Sequence, residues 1–276
     1  MRESHPWLGS TLTSKFSSTT VAMQTRLPVT RESFFKPHGG FVVGVKNLEV
    51  LRDTKEIEMT AKLYGANVCP FVHRTRLLLA EKGIEHEYVA IDLANKPDWY
   101  HEVLPSGKVP LLEHDGHRIW ESDIICEYLE EAFDGPEFMP RDPGRKAEVR
   151  LLVNWGTSQL VPPFYKFLAN QDRSKDGELK EQVLKVLREL NEKLGERPGP
   201  YFFAQITLAD LELYPWFERM CVLRHYRDFQ VPEKLSQVHA WWDAMKSRES
   251  VQKLKEEDEY FIEKYESYAV GDKVPA

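Results

Sequence analysis

The chain has 276 residues, 42% of them hydrophobic, and a formal net charge of -7, which allows two ordinary domains with real cores. The acidic balance argues against the clustered Lys and Arg of a nucleic-acid footprint, and no apolar run approaches the ~18 residues that a membrane span requires. Its three cysteines are too few and too far apart for a disulfide framework or a zinc site, and they fit a reducing compartment.

Residues 1–58 read as an extension. Within 1–31, Arg2, Lys15, Arg26 and Arg31 face a single acid, Glu3, in a Ser/Thr-rich background. That is the composition of a transit peptide, with a disordered lead-in as the plainer alternative. From Ala61 the element types alternate: a strand over 61–65, a helix over 70–82, a strand over 86–92, a short helix near 97–103, strands over 109–113 and 117–120, and a helix over 122–133. Strands and helices in that order build a mixed sheet covered by helices. Lys108-Val109-Pro110 opens the third strand, where a proline implies a sheet edge or a cis peptide.

Turn residues at 134–136 and 140–144 read as a linker. Beyond them the period is helical: Val183, Leu187, Leu190 and Leu194 repeat on one face before Gly195. Thr207 and Asp210 form a capping-box pattern, Pro215 is expected to kink or end that helix, and Pro232 to start another through Trp241 and Met245. The predicted fold is α/β plus all-α, with a thioredoxin-like domain over 59–135 and an all-helical domain over 140–270.

The residue around which this is arranged is Cys69. Pro70 suits the first position of a helix and Gly83 a left-handed end, so Cys69 falls at the helix N-terminus. Unpaired N–H groups and the macrodipole favour a thiolate there, with His73 and Arg74 as further cations. Val72 stands where a Cys-x-x-Cys motif has its second sulfur, so another thiol must resolve any disulfide. The plain alternative is an inert packed cysteine, which is how Cys126 and Cys221 read within their helices. Asp172–Gly177 imitates a calcium loop, but Val183 occupies the twelfth position, where a bidentate Glu is needed. No metal-ligand pattern, P-loop or nucleophile elbow is present.

Cys69-Pro70-Phe71, Arg74-Thr75-Arg76-Leu77, Asn95-Lys96-Pro97-Asp98-Trp99, Val109-Pro110, Glu121-Ser122 and Pro215-Trp216-Phe217-Glu218-Arg219 together resemble the cysteine-type cytosolic glutathione S-transferases. The omega class is the nearest match, with lambda-like features. The resemblance implies that Cys69 forms a mixed disulfide with glutathione and that the Phe71 backbone supports the site. It further implies that Lys96 holds a glutathione carboxylate, that Val109, ahead of a cis Pro110, pairs with the cysteinyl backbone, and that Glu121 and Ser122 hold the γ-glutamyl end. Trp216 is implied beside the second-substrate pocket.

The activity so implied is thiol transfer: reduction of mixed disulfides or dehydroascorbate, or deglutathionylation, with glutathione as co-substrate and no metal. The implied partners are glutathione and a small electrophile, disulfide or dehydroascorbate, with neither nucleic acid nor membrane and with a homodimer as a possible assembly. The expected location is cytoplasmic, or a plastid or mitochondrion if residues 1–58 are a transit peptide. The same resemblance extends to the chloride intracellular channel proteins, a non-enzymatic reading. Arg74, Arg76, Glu81 and Lys82 on the 70–82 helix weigh against it, since a charge at a bilayer centre costs at least roughly 2.5–3.5 kcal/mol.

Overall fold

The computed structural model describes residues 61–272, so the expectations for residues 1–58 lie outside the described residues. Strand β1 (Ala61–Gly65), buried at four of its five positions, lies inside a four-stranded sheet of order β2-β1-β3-β4. It pairs in parallel with β2 (His86–Ala90) and antiparallel with β3 (Leu111–His114), which pairs antiparallel with β4 (His117–Trp120). A parallel neighbour requires a crossover, and α1 (Pro70–Lys82) supplies it. The β3–β4 hairpin turns on Asp115-Gly116, both at positive φ (51° and 73°), as a two-residue turn matched to strand twist demands. Helices α2 (Asp98–Val103) and α3 (Ser122–Ala132) complete this thioredoxin-like part.

Helix α1 starts at Pro70 and ends at Gly83 in the left-handed region, φ 66°, where the N–H of Ile84 reaches back to the Leu79 carbonyl at 2.9 Å. Leu77, Leu78 and Leu79 are fully buried. One side of α1 meets α3, and another meets α7 of the helical part, so the helix that begins at Cys69 is packed on by both halves of the fold.

The helical part runs through α4 (Pro143–Trp155), a π-helical turn at Gly156–Leu160 and α5 (Val161–Leu168) to α6 (Asp176–Gly195) and α7 (Leu208–Glu218). Then follow α8 (Met220–Arg227), α9 (Ser236–Lys246), α10 (Glu249–Leu254) and α11 (Asp258–Ala269). Every α7 residue from Leu208 to Phe217 is buried, the mark of a core helix. Gly156 lets the preceding turn approach α7: a Cβ there would sit 2.6 Å from Leu213 Cδ1.

Three expectations set by prolines are decided in the structure. Pro215 does not end α7, which continues to Glu218; burial on every side holds the helix through the missing N–H. Pro232 does not start α9; its carbonyl accepts the Leu235 N–H at 3.0 Å in a turn, and the helix begins at Ser236. Strand β3 is interior to the sheet, so the edge explanation for Pro110 fails and the cis Val109–Pro110 bond stands. The capping box forms as read, with Asp210 Oδ2 accepting the Thr207 N–H at 2.8 Å.

Candidate active site

Cys69 is the N-cap of α1, and its carbonyl accepts the first helical hydrogen bond, from the His73 N–H at 3.0 Å. Of the three free cysteines it alone is partly exposed; Cys126 and Cys221 are buried. Burial pushes the Cys126 thiol well up and the Cys221 thiol to about 12, which makes both poor nucleophiles.

The expectation of a readily ionised Cys69 meets a correction. Burial pushes its thiol up from the ordinary range, against the N–H groups of Val72 and Phe71 and the cations Arg219 and Arg74, which pull it down. The helix terminus therefore acts as expected, but desolvation, invisible in a sequence, outweighs it. His73 adds no positive charge: burial, then Arg219 and Arg76, lower its pKa well below the usual value, leaving a neutral imidazole 3.4 Å from Glu218 Oε2. Arg74 is committed elsewhere. It donates to the Glu212 carbonyl (2.8 Å), Ser122 Oγ (3.3 Å) and Thr157 Oγ1 (2.9 Å), and lies 3.5 Å from the buried Glu212 carboxylate.

The loop ahead of Cys69 is held from 150 residues away in the chain, on the order of a whole domain's length. Arg219, 0% exposed, donates to the Val68 carbonyl at 3.1 and 3.2 Å and to the Asn67 carbonyl at 3.2 Å. Its remaining nitrogen bonds the Pro215 carbonyl at 2.7 Å and Glu218 Oε2 at 3.1 Å, and its guanidinium lies over the Phe261 ring. Tyr265 Oη also donates to Val68, at 3.4 Å. Loop carbonyls taken by a buried planar fork are fixed in orientation as well as place.

Cys69 opens on a cleft of about 1050 Å³. Phe71, Lys96, Val109, Pro110, Glu121 and Ser122 all line it with Cys69, so the structure brings together seven of the eight residues singled out in the sequence. Val109 precedes β3 and takes no part in the sheet pairings. Glu121 is the N-cap of α3 at φ 66°, a left-handed conformation that costs a non-glycine residue of order 1–3 kcal/mol and gathers at functional sites. Ser122 is the first helical residue of α3 and is buried against Arg74. The Glu121 carboxylate is 55% exposed and 4.0 Å from Lys108 Nζ.

Trp216 is the exception. It is 1% exposed, lies beneath Phe71 with ring centroids 5.1 Å apart and carries the Arg74 guanidinium at 4.7 Å. It does not line the cleft. The helical side of the cleft is formed by Val161 and Tyr165 of α5 and by Tyr260, Lys264, Tyr265 and Tyr268 of α11, and Tyr88 and Trp120 line it from the sheet. Tyr165 and Tyr265 stack at 6.3 Å with their hydroxyls 3.4 Å apart, and Tyr88 Oη is buried without a partner. The sequence held a signal for these residues in Tyr265 and Tyr268, one turn apart on a helix whose buried face is aromatic. Phenols at such positions pack as core yet keep a polar tip for a cleft.

Comparison with known proteins agrees with this geometry. Residues 63–137 match the model for the glutathione S-transferase N-terminal domain, and residues 166–244 match that for the C-terminal domain. A protein of Oryza sativa subsp. japonica named probable glutathione S-transferase DHAR1, cytosolic, is 37% identical over 197 residues, 70% of this chain and 87% of that protein. The chain belongs to the glutathione S-transferase family. Glutathione S-transferase omega-1 of Sus scrofa is 37% identical over 161 residues, 58% of this chain; the match spans 66% of the pig protein's length. The crystal structure of glutathione transferase Omega 3C from Trametes versicolor superposes with a TM-score of 0.70 at 33% identity, covering 77% of this chain and 91% of that one. The transferase fold, a thioredoxin-like sheet domain joined to a helical domain, is thus common to this chain and its relatives.

Proposed function

We propose that the protein is an omega-type, glutathione-dependent thiol transferase and reductase in which Cys69 is the nucleophile. The observation that carries this reading is that the one partly exposed cysteine opens on the cleft lined by Phe71, Lys96, Val109, Pro110, Glu121 and Ser122. The Cys69 thiolate attacks the glutathione sulfur of a mixed disulfide. The S–S bond breaks, the acceptor sulfur leaves with the electron pair and takes a proton, and Cys69 is left glutathionylated. A second glutathione thiolate then attacks that adduct, so oxidised glutathione departs and Cys69 is restored. With dehydroascorbate, two glutathione thiols supply the two electrons and two protons, and the same disulfide is the product.

Lys96 suits a glutathione carboxylate, Glu121 and Ser122 suit the γ-glutamyl amine and carboxylate, and the free backbone of Val109 suits the cysteinyl peptide. Lys108 and Lys264 add positive charge to the lining for a ligand that carries net negative charge. The second-substrate face assigned to Trp216 passes to Tyr165, Tyr265 and Tyr268, whose mixture of ring and hydroxyl suits small, oxygen-bearing acceptors. Arg219 is a positioning residue: it holds the Val68 carbonyl and stabilises negative charge at the sulfur without touching a substrate. A reducing compartment fits this chemistry, the cytoplasm first.

The test is a panel of glutathione-coupled assays with disulfide, dehydroascorbate and electrophile acceptors on the wild type and on Cys69→Ser. Reductase activity should collapse in the variant, because a hydroxyl neither ionises in this field nor forms an exchangeable disulfide. Conjugation of an electrophile should persist or rise as the serine hydroxyl donates to the glutathione sulfur. Reductase activity retained by Cys69→Ser would overturn the proposal.

A further inference from the structure

Helix α11 sorts its charges by face. Asp258, Glu259, Glu263 and Glu266 all stay off the Cys69 cleft, whereas the one cation of this helix, Lys264, lines it together with Tyr260, Tyr265 and Tyr268. Tyr260, Lys264 and Tyr268 are spaced i, i+4 and i+8, so one phenol stands a turn before the ammonium and another a turn after it. The hydroxyls of both phenols have no protein partner and, unlike that of Tyr88, are not buried. Tyr265, by contrast, is engaged with Tyr165 and Val68. Burial holds the Tyr260 and Tyr268 phenols above their ordinary range, so both are O–H donors at neutral pH. Among the described residues, no carboxylate lines the helical side of the cleft. Lys264 is paired with Glu263 at 2.9 Å, but the two side chains are 47% and 73% exposed, and such a pair is readily replaced. Asp92, across the cleft, also acts on Lys264, while its Oδ1 accepts the Ala94 N–H at 2.9 Å.

One ammonium between two free phenols, with no acid on the same wall, is the complement of an oxygen anion. Tyr165, Tyr265 and Tyr268 pack as an aromatic group with centroids 5.7, 6.0 and 6.3 Å apart, a surface for a flat ring. The Tyr268 phenol, raised first by burial and then by the Cys69 sulfur, joins the stripe to the reacting atom. The groups that suit glutathione itself, Lys96, Glu121 and Ser122, come from the sheet side of the cleft. We propose that Lys264, Tyr260 and Tyr268 are specificity-determining residues that select, as second substrate, an aromatic acceptor bearing a carboxylate. The inference rests on the reading of Cys69 as the sulfur that exchanges with glutathione. In a mixed disulfide of glutathione with an aryl thiol acid, the Cys69 thiolate attacks the glutathione sulfur and the S–S bond breaks. The glutathionyl group stays on Cys69, and the aryl thiolate leaves with the electron pair while its carboxylate faces Lys264. A neutral acceptor gains no charge pairing from this stripe, and a cationic one is opposed by it.

Calorimetric titration of the full chain with two unreactive thioethers, S-(4-carboxybenzyl)glutathione and S-(4-carbamoylbenzyl)glutathione, isolates the charge of the acceptor, because the glutathione part is common to both. The acid should bind about three- to fivefold more tightly than the amide, and added salt should shrink that ratio. Lys264→Gln should bring the ratio to about one by weakening the acid alone, and Lys264→Glu should invert it. Tyr268→Phe, which keeps the ring and removes the O–H, should lower the ratio by about twofold. Circular dichroism checks that each variant is folded. The readout needs no turnover. Equal affinities in the wild type, or an equal loss of both conjugates in Lys264→Gln, would overturn the inference and leave the glutathione site standing. Binding of neither conjugate would overturn the glutathione reading together with it.

Discussion

Two sets of ionisable side chains flank Cys69, and they differ in how much water they see. On the cleft rim, Lys108 and Glu121 keep 69% and 55% of their side chains exposed at 4.0 Å separation. Beneath the loop, Arg74 with Glu212 and Arg219 with Glu218 are almost wholly enclosed. Exposed charges at such a distance are screened and replaceable. Enclosed ones cannot be halved without stranding the partner. The rim is therefore suited to capturing and releasing a charged ligand, whereas the buried set fixes where the sulfur sits.

The largest effect should come from breaking the buried set. Arg219→Met should lower the unfolding free energy by about 3–5 kcal/mol, the usual consequence of stranding a buried charge, and should slow Cys69 alkylation by removing a cation that lowers its pKa. Denaturant titration reads the first effect. A loss below ~1 kcal/mol would make the buried pair no different from a surface one.

A second test uses pH. Burial raises the Glu218 carboxyl to about 7, against the opposing pull of Arg219, so the folded state holds this proton more tightly than the unfolded chain. The associated stability is fully present below the ordinary carboxylate range and is lost as pH rises towards 7. Glu218→Gln has no such loss, so its stability relative to wild type should improve by about 1–3 kcal/mol between roughly pH 5 and pH 8. A difference that stays flat with pH would show that Glu218 titrates normally and that this side chain belongs with the rim.

The rim should give smaller numbers. Glu121→Ala should weaken glutathione binding by about 1 kcal/mol, roughly fivefold, because a charge-assisted bond is lost from a half-exposed position. Lys96→Ala should weaken it by less than ~0.5 kcal/mol, an effect that shrinks further with added salt. Calorimetric titration with glutathione at two ionic strengths measures both. A rim substitution with a larger effect than Arg219→Met would invert the comparison.

The same contrast explains what was legible in the sequence. Strand β1, helix α1 and the β3–β4 hairpin follow from local pattern, and the rim residues sit in short motifs beside those elements. Pro70 and Gly83 bound α1 as read. Arg219 has no local sign of its role, because its carbonyl partners lie about 150 positions earlier in the chain. Trp216 shows the same gap from the other side: an aromatic in an all-round apolar helix can be core or cleft, and here α7 is buried throughout. Helix position predicted the downward pull on Cys69, but burial in the folded chain outweighs it, and nothing at residues 67–74 encodes that. Pro232 misled, and Pro215 does not end α7, because proline states what a backbone cannot bond, while tertiary packing decides where a helix starts and whether it continues.

The most direct test of the central claim, that Cys69 is the sulfur that exchanges with glutathione, is intact-mass and peptide mass spectrometry after treatment with oxidised glutathione. The wild type should gain one glutathione, mapped to Cys69, and fresh reduced glutathione should remove it; Cys69→Ser should gain none. An adduct on Cys126 or Cys221 in place of Cys69, or an adduct on Cys69 that reduced glutathione leaves intact, would contradict the account.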